Sequence, residues 1–293
     1  MTRFILFIKS LITHHSSLTT KHYRFRMDFT IKTYKRLLQT FLSNDYALIT
    51  YERYCTHKPN SKFLILRHDV DEIASNALKM AQVENKLGVK ATYYFRIVKQ
   101  SNRPEIIRKI AELGHEIGYH YEDLAFAKGN MSVAKRTFER NLAYFRTFYP
   151  VKTVCMHGSS TSKYDNREFW KTYQLDEFGL IGEPYLTTDF SKIFYFTDTG
   201  YAWDGSKYAV RDTVETHFNL TFHASNEIIR AVERGDFPEK SLMLAHTLWS
   251  DNLFQWILLH LREFLRNHLK YMAQRNKFLK NIYAGMVKSY WKS

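Results

Sequence analysis

The apolar run Phe63-Leu64-Ile65-Leu66 leads straight into Arg67, His68, Asp69 and Asp71. Asp69 and Asp71 stand two apart, so on an extended chain both side chains project to one side. Two carboxylates so close cannot both stay ionised cheaply without a cation or a proton between them. A divalent metal beside one and a proton taken up by the other would resolve the conflict. A helix N-cap explains the same residues equally well, with Asp71 or Ser75 capping the helix that follows. Other apolar stretches end alike: Arg96 closes "KATYYFRI", and His120 closes "GHEIGYH" ahead of Tyr121, Glu122 and Asp123. His157 precedes Gly158-Ser159-Ser160, and His246 has Trp249 close behind it. Each has a plainer reading: a histidine hydrogen-bonded in a serine-rich loop for His157, core packing near a strand end for His246 and Trp249. In parallel α/β architectures, however, strand C-termini converge on one ligand-binding face. Several such ends together point to a site.

The elements that would position these residues follow from periodicity. Ile31, Tyr34, Leu37, Leu38, Phe41 and Leu42 fall at helical spacing, and "YALIT" (46–50) reads as a strand followed by a loop around Pro59 and Asn60. A strand over 62–67 leads to a helix over Ser75–Leu87 closed by Gly88. A strand over 90–97, a helix from Pro104 to Gly114, a strand over 115–120, a helix over Met131–Phe148 and a strand over 151–158 continue the alternation. Further on, strands are expected at 177–183, 193–200 and 241–247, and a helix at 225–235. Residues 252–293 read as a basic helix with Leu258, Leu261, Leu265, Leu269 and Met272 along one stripe. This alternation with short connections predicts a parallel α/β sheet or barrel. No repeat or linker divides it, so the sequence predicts one domain over 27–251. It is flanked by an N-terminal extension, 1–26, and a basic helical segment, 252–293.

The 293 residues, 45% hydrophobic, suffice for a full core. Two cysteines, Cys55 and Cys155, make neither a disulfide framework nor a thiolate metal site, which fits a reducing compartment. The formal charge of +14 sits at the two ends. Residues 1–26 carry five Lys or Arg and no acid; residues 260–293 carry eight and one acid, Glu263, which leaves the body near +2. A nearly neutral body with no recognisable module excludes a nucleic-acid platform. Basic ends suit a solvated face or contact with an anionic surface. The apolar stretch Phe4–Ile12, interrupted by Lys9, is too short for a membrane span and lacks a signal-peptide cleavage site. The expected location is therefore cytoplasmic, at the inner face of the membrane if the basic ends contact it.

"LRHDVD" (66–71), "KATYYFRI" (90–97), "GHEIGYH" (114–120) and "LMLAHTLW" (242–249) resemble, in order and spacing, the NodB-type polysaccharide deacetylases. The closer resemblance is to a divergent RHDVD branch associated with bacterial surface polysaccharides, and it covers roughly residues 27–250. It implies a distorted (β/α) barrel with the basic helical C-terminal segment appended. It also implies metal-dependent hydrolysis of an N-acetyl group on a nucleotide- or lipid-linked sugar or glycan. By position, Asp69 resembles the family's base, His120 its first histidine ligand and His246 its late-strand general acid. Asp71 is the expected carboxylate ligand. Arg67, Arg96, Tyr121 and Trp249 are expected to contact substrate. The chain departs from the family in four places. Val70 separates the two aspartates, Leu124 stands where a second histidine ligand belongs, "HGSS" replaces an arginine motif, and the later Asp/Trp motif has only a loose echo in "DTGYAWDG" (198–205). The missing ligand must come from His157, Glu122 or His68, and His157 is the one expected. The cofactor implied is a divalent ion, zinc by preference. Two other functions fit the same residues: an inactive carbohydrate-binding relative, and a hydrolase of another amide C–N bond.

Overall fold

The computed structural model of the chain describes residues 27–57, 59–158, 162–203 and 213–275, with side chains through residue 268. The N-terminal extension, the Ser159-Ser160 turn, the basic segment past Arg275 and the side chains of Leu269 and Met272 lie outside it.

Thr30 caps α1 (Ile31–Leu42) by accepting the Thr33 N–H. The chain then runs through β1 (Ala47–Ile49), α2 (Tyr51–Thr56), β2 (Phe63–Val70), α3 (Ala74–Lys86), β3 (Thr92–Phe95) and α4 (Pro104–Glu112). It continues with β4 (Glu116–Tyr121), α5 (Asp123–Phe126), α6 (Met131–Phe145), β5 (Val154–Met156), two 3₁₀ turns and α7 (Pro184–Thr187). It closes with β6 (Phe194–Thr197), α8 (Ser225–Glu233), β7 (Lys240–Leu244) and α9 (Leu253–Arg275).

Every strand pairs in parallel, in the order β5-β4-β3-β2-β7-β6. β1 lies beside the first half of β2, Ala47 opposite Phe63, and β3 takes over the same edge from Arg67 onward. The sheet curls into a distorted (β/α) barrel. Among the described residues no ladder joins β5 to β6. The gap is spanned by the segment before β6, where Gly182 bridges Thr153 and the Glu183 carboxylate accepts the Met156 N–H.

All eight residues of β2 are buried because both its faces are covered, as in parallel sheets generally. Its alternation divides them between two apolar clusters. Leu64, Leu66 and Val70 pack outward under the helices, while Phe63 and Ile65 join Tyr51, Tyr54, Ile193 and Leu242 as the floor inside the barrel. The same alternation sends Arg67, Asp69 and Asp71 up the inner wall. Gly118 on β4 admits the Tyr94 ring to that interior; a Cβ there would lie 2.3 Å from two ring carbons.

Three expectations need correction. α2 forms where a loop is expected, started by the Thr50 cap on the Arg53 N–H. The segment 177–183 is not a strand, because Gly179 turns left-handed at φ 64° after a 3₁₀ turn and Pro184 opens α7. The cap reading of Asp71 and Ser75 also fails. The cap position of α3 is Ile73, at φ 53° and ψ 53°, with no side-chain cap bond.

Candidate active site

Asp71, His120 and His157 meet at the strand C-termini. The Asp71 Oδ1 lies 3.4 Å from the His120 Nε2 and 3.6 Å from the His157 Nε2. Both rings are fixed from behind. His120 Nδ1 is 2.9 Å from the Cys155 carbonyl and His157 Nδ1 is 3.0 Å from Glu122 Oε2, both acceptors, so each Nδ1 carries a proton. In the neutral rings each Nε2 then presents a lone pair toward Asp71. The Asp71 Oδ1 is itself buried without a hydrogen-bond partner, although 27% of the side chain is exposed. The Asp71 Oδ1 thus faces both Nε2 atoms, and histidines braced through Nδ1 are the usual form of a metal ligand.

Among the described residues, a different cluster, Asp69, His120 and Cys155, is the one whose ligand atoms all lie within 4.8 Å of one another. It fits an ion less well. Both Asp69 oxygens are engaged by Arg67, through Nε at 3.1 Å and Nη2 at 2.8 Å, and the Cys155 thiol is directed at the Met156 carbonyl. The Asp71 set has the unsatisfied oxygen.

The electrostatics are arranged to keep the carboxylates charged. For Asp69, burial favours the neutral acid, but Arg67 and then His120 override it and hold the pKa below the ordinary value. For Asp71 burial again opposes ionisation, and His157 and His120 drive the pKa well down. For His120 burial works against the cation, while Asp69 and Asp71 prevail and raise it. Glu122, which holds His157, is gripped by Arg96 at 2.8 and 2.9 Å. Against the effect of burial, Arg96 and His157 pull its pKa down to about 2.

Across the mouth, Asp198 at the end of β6 accepts three bonds. They come from the His246 Nδ1 at 2.7 Å, the His246 backbone N–H at 2.8 Å and the Trp249 Nε1 at 2.8 Å. Burial would discharge His246; Asp198 foremost, then Asp71 and Asp69, push its pKa up to about 10. The imidazolium keeps Nε2 for a second proton transfer partner.

Asp69, Asp71, His120, His157 and His246 are thus brought to one mouth. The four residues expected to touch substrate are all buried, and each bonds protein through a polar atom, while the Arg67 Nη1 has no hydrogen-bond partner. Arg67 holds Asp69 and the Tyr185 hydroxyl, at 3.0 Å, with its guanidinium 4.8 Å from the Tyr185 ring centre. Arg96 holds Glu122 and Trp249 holds Asp198, while Tyr121 accepts from the Trp170 Nε1 at 2.7 Å. In the fold these contacts brace the neighbouring side chains. Of the alternative ligands, Glu122 stands behind His157. His68, one step out of phase with Asp69, points to the opposite face and bonds Glu84 and the Ala245 carbonyl. Asp198, first residue of the stretch that loosely echoes the family's Asp/Trp motif, and Tyr185 are not among the expected site residues. Asp198 ends a strand-like stretch, the same signal that marked the other residues; Tyr185 carries no local signal.

The chain matches no family model and no curated protein. Among solved structures it is similar to a mutant of a CE4 family pseudoenzyme with restored enzymatic activity. That match has 12% identity and a TM-score of 0.40 and covers 72% of this chain and 64% of the other. It is also similar to the Xyl-CE4 domain of a multidomain xylanase from the hindgut metagenome of Trinervitermes trinervoides, at 15% identity and TM-score 0.37, covering 71% and 85%. A family 4 carbohydrate esterase from Streptomyces lividans in complex with acetate matches at 14% identity and TM-score 0.38, covering 69% and 85%. The chain thus spans less than two thirds of the first of these. Overlaps this loose transfer no residue role.

Proposed function

We propose that the chain is a metal-dependent hydrolase of the polysaccharide deacetylase superfamily. In this reading it removes an N-acetyl group from a sugar in a surface-polysaccharide precursor, an O-antigen or capsule intermediate. The observation that carries this reading is the orphaned Asp71 Oδ1 facing two histidine nitrogens, with Asp69 3.6 Å from His120 and a charged His246 across the mouth. Asp71, His120 and His157 would hold the ion, and their oxygen and nitrogen donors suit zinc. A divalent ion held by these residues would supply Lewis-acid polarisation of the acetyl carbonyl and lower the pKa of the attacking water.

The protein's own groups do the rest. Asp69, kept ionised by Arg67, takes the proton of the water as the new C–O bond forms. Its second lone pairs remain available, since the guanidinium uses one on each oxygen. His246 donates from Nε2 to the nitrogen as the C–N bond breaks, leaving acetate and an amine, and Asp198 stabilises the imidazolium until that moment. Leu124 does not favour the inactive reading, because His157 reaches Asp71 from the end of β5.

The test uses the full chain, stripped by chelator and reloaded with zinc, on N-acetylglucosamine oligomers and a nucleotide-linked N-acetyl sugar. About one ion per chain and acetate release are expected. His120→Ala should lose both, and Asp69→Asn should lose turnover while keeping the metal. Turnover that survives both substitutions overturns the assignment.

A further inference from the structure

The helix α9 is turned inside out. Its polar side grips the barrel: Trp256 Nε1 donates to the Asp28 carbonyl at 2.7 Å and Asn267 donates to the Gly200 carbonyl at 2.8 Å. Arg262 clamps Glu72 at 2.7 and 3.0 Å, and Arg266 joins it at 3.2 Å. The opposite side carries Leu253, Phe254, Ile257, Leu258, Leu261, Phe264 and Leu265, which are between 37% and 72% exposed. At 3.6 residues per turn these seven positions fall within one arc of roughly 140°, shared among the described side chains only with His268. A surface helix ordinarily places its apolar stripe on the core. A continuous outward stripe of this kind marks a docking face.

Charge identifies what docks. Arg262 and Arg266 are occupied by Glu72 and Glu263. The sequence then supplies Lys270, Arg275, Lys277, Lys280, Lys288 and Lys292 with no further acid. Pairing the stripe with a second copy would bring two such cationic segments together, at an electrostatic cost. An anionic lipid surface satisfies both features at once: the apolar side chains enter the acyl boundary and the cations meet the headgroups. The helix does not cross the bilayer, since no helix among the described residues is long and apolar enough to do so. We propose that α9 lies flat in the interface of an anionic membrane, an inference independent of the hydrolase reading.

Flotation of the full chain with vesicles tests this. One set is phosphatidylcholine alone, and the other contains about three parts in ten phosphatidylserine. The chain should float with the anionic vesicles, weakly or not at all with the neutral ones, and less in high salt. A Phe254→Ser, Leu258→Ser, Leu261→Ser variant alters only exposed side chains, so its thermal midpoint should stay near that of the wild type. Its partition should fall at least about tenfold, roughly 1.4 kcal/mol. Three results each overturn the proposal: no flotation of the wild type, equal flotation of the variant, or a solution dimer of the wild type that the variant abolishes.

Discussion

Glu122→Gln is an isosteric change that removes one charge from a buried chain of contacts, Arg96 to Glu122 to His157. The carboxylate is 3% exposed and holds the Arg96 guanidinium through both oxygens and His157 through one. Its pKa falls from the ordinary 4.5 to about 2. At about 1.36 kcal/mol per pH unit this corresponds to roughly 3 kcal/mol of stability. Breaking a buried ion pair by removing one partner gives the same order, about 3–5 kcal/mol, because the other charge is left uncompensated. The sign follows from the lowered folded pKa. The contribution is complete above pH about 4.5 and drains away as pH falls toward about 2. Urea denaturation of metal-free wild type and variant at pH 7 should therefore differ by roughly 3 kcal/mol, with the gap narrowing on acidification through that window. Because Glu122 also fixes the His157 ring, zinc affinity measured against a competing chelator should drop about 10–100-fold. If the gap is within about 0.5 kcal/mol at pH 7, or zinc affinity is unchanged, Glu122 does not brace His157.

Asp198→Asn removes the charge that raises His246, so the acid form should be lost at lower pH. The alkaline limb of kcat/KM should move down by about 1–3 pH units; an unmoved limb would exclude His246 as the titrating acid. Gly118→Ala places a Cβ 2.3 Å from the Tyr94 ring inside the barrel. Overpacking there should cost about 1–3 kcal/mol, read as a lower urea midpoint with the slope unchanged.

The parts of the site legible in sequence are those governed by local rules. The apolar run before Arg67 predicts a strand, and strand alternation puts Asp69 and Asp71 on one side. Strand ends mark His120, His157 and His246. What sequence cannot show is which buried polar group meets which. Arg96 and Glu122 are 26 residues apart and His246 and Asp198 are 48 apart, pairs made only by the curl of the sheet. Arg96 and Trp249 look like substrate contacts in sequence, and only the fold shows that they bond Glu122 and Asp198. The expected strand at 177–183 fails for a local reason: apolar residues there surround Gly179 and Gly182, and the left-handed Gly179 ends the preceding turn instead of starting a ladder.

With α9 on lipid as proposed, its attachment points would fix where the barrel faces. Glu72 directly follows Asp71 and Gly200 lies two residues beyond Asp198, so the helix runs along the rim of the mouth that holds the candidate site. A rim resting on lipid sets a working height. Sugars carried close to a membrane anchor would be delivered to that mouth, while units far out on a long polymer would pass above it. Substrate choice would then depend on distance from the bilayer as well as on the chemistry of the sugar.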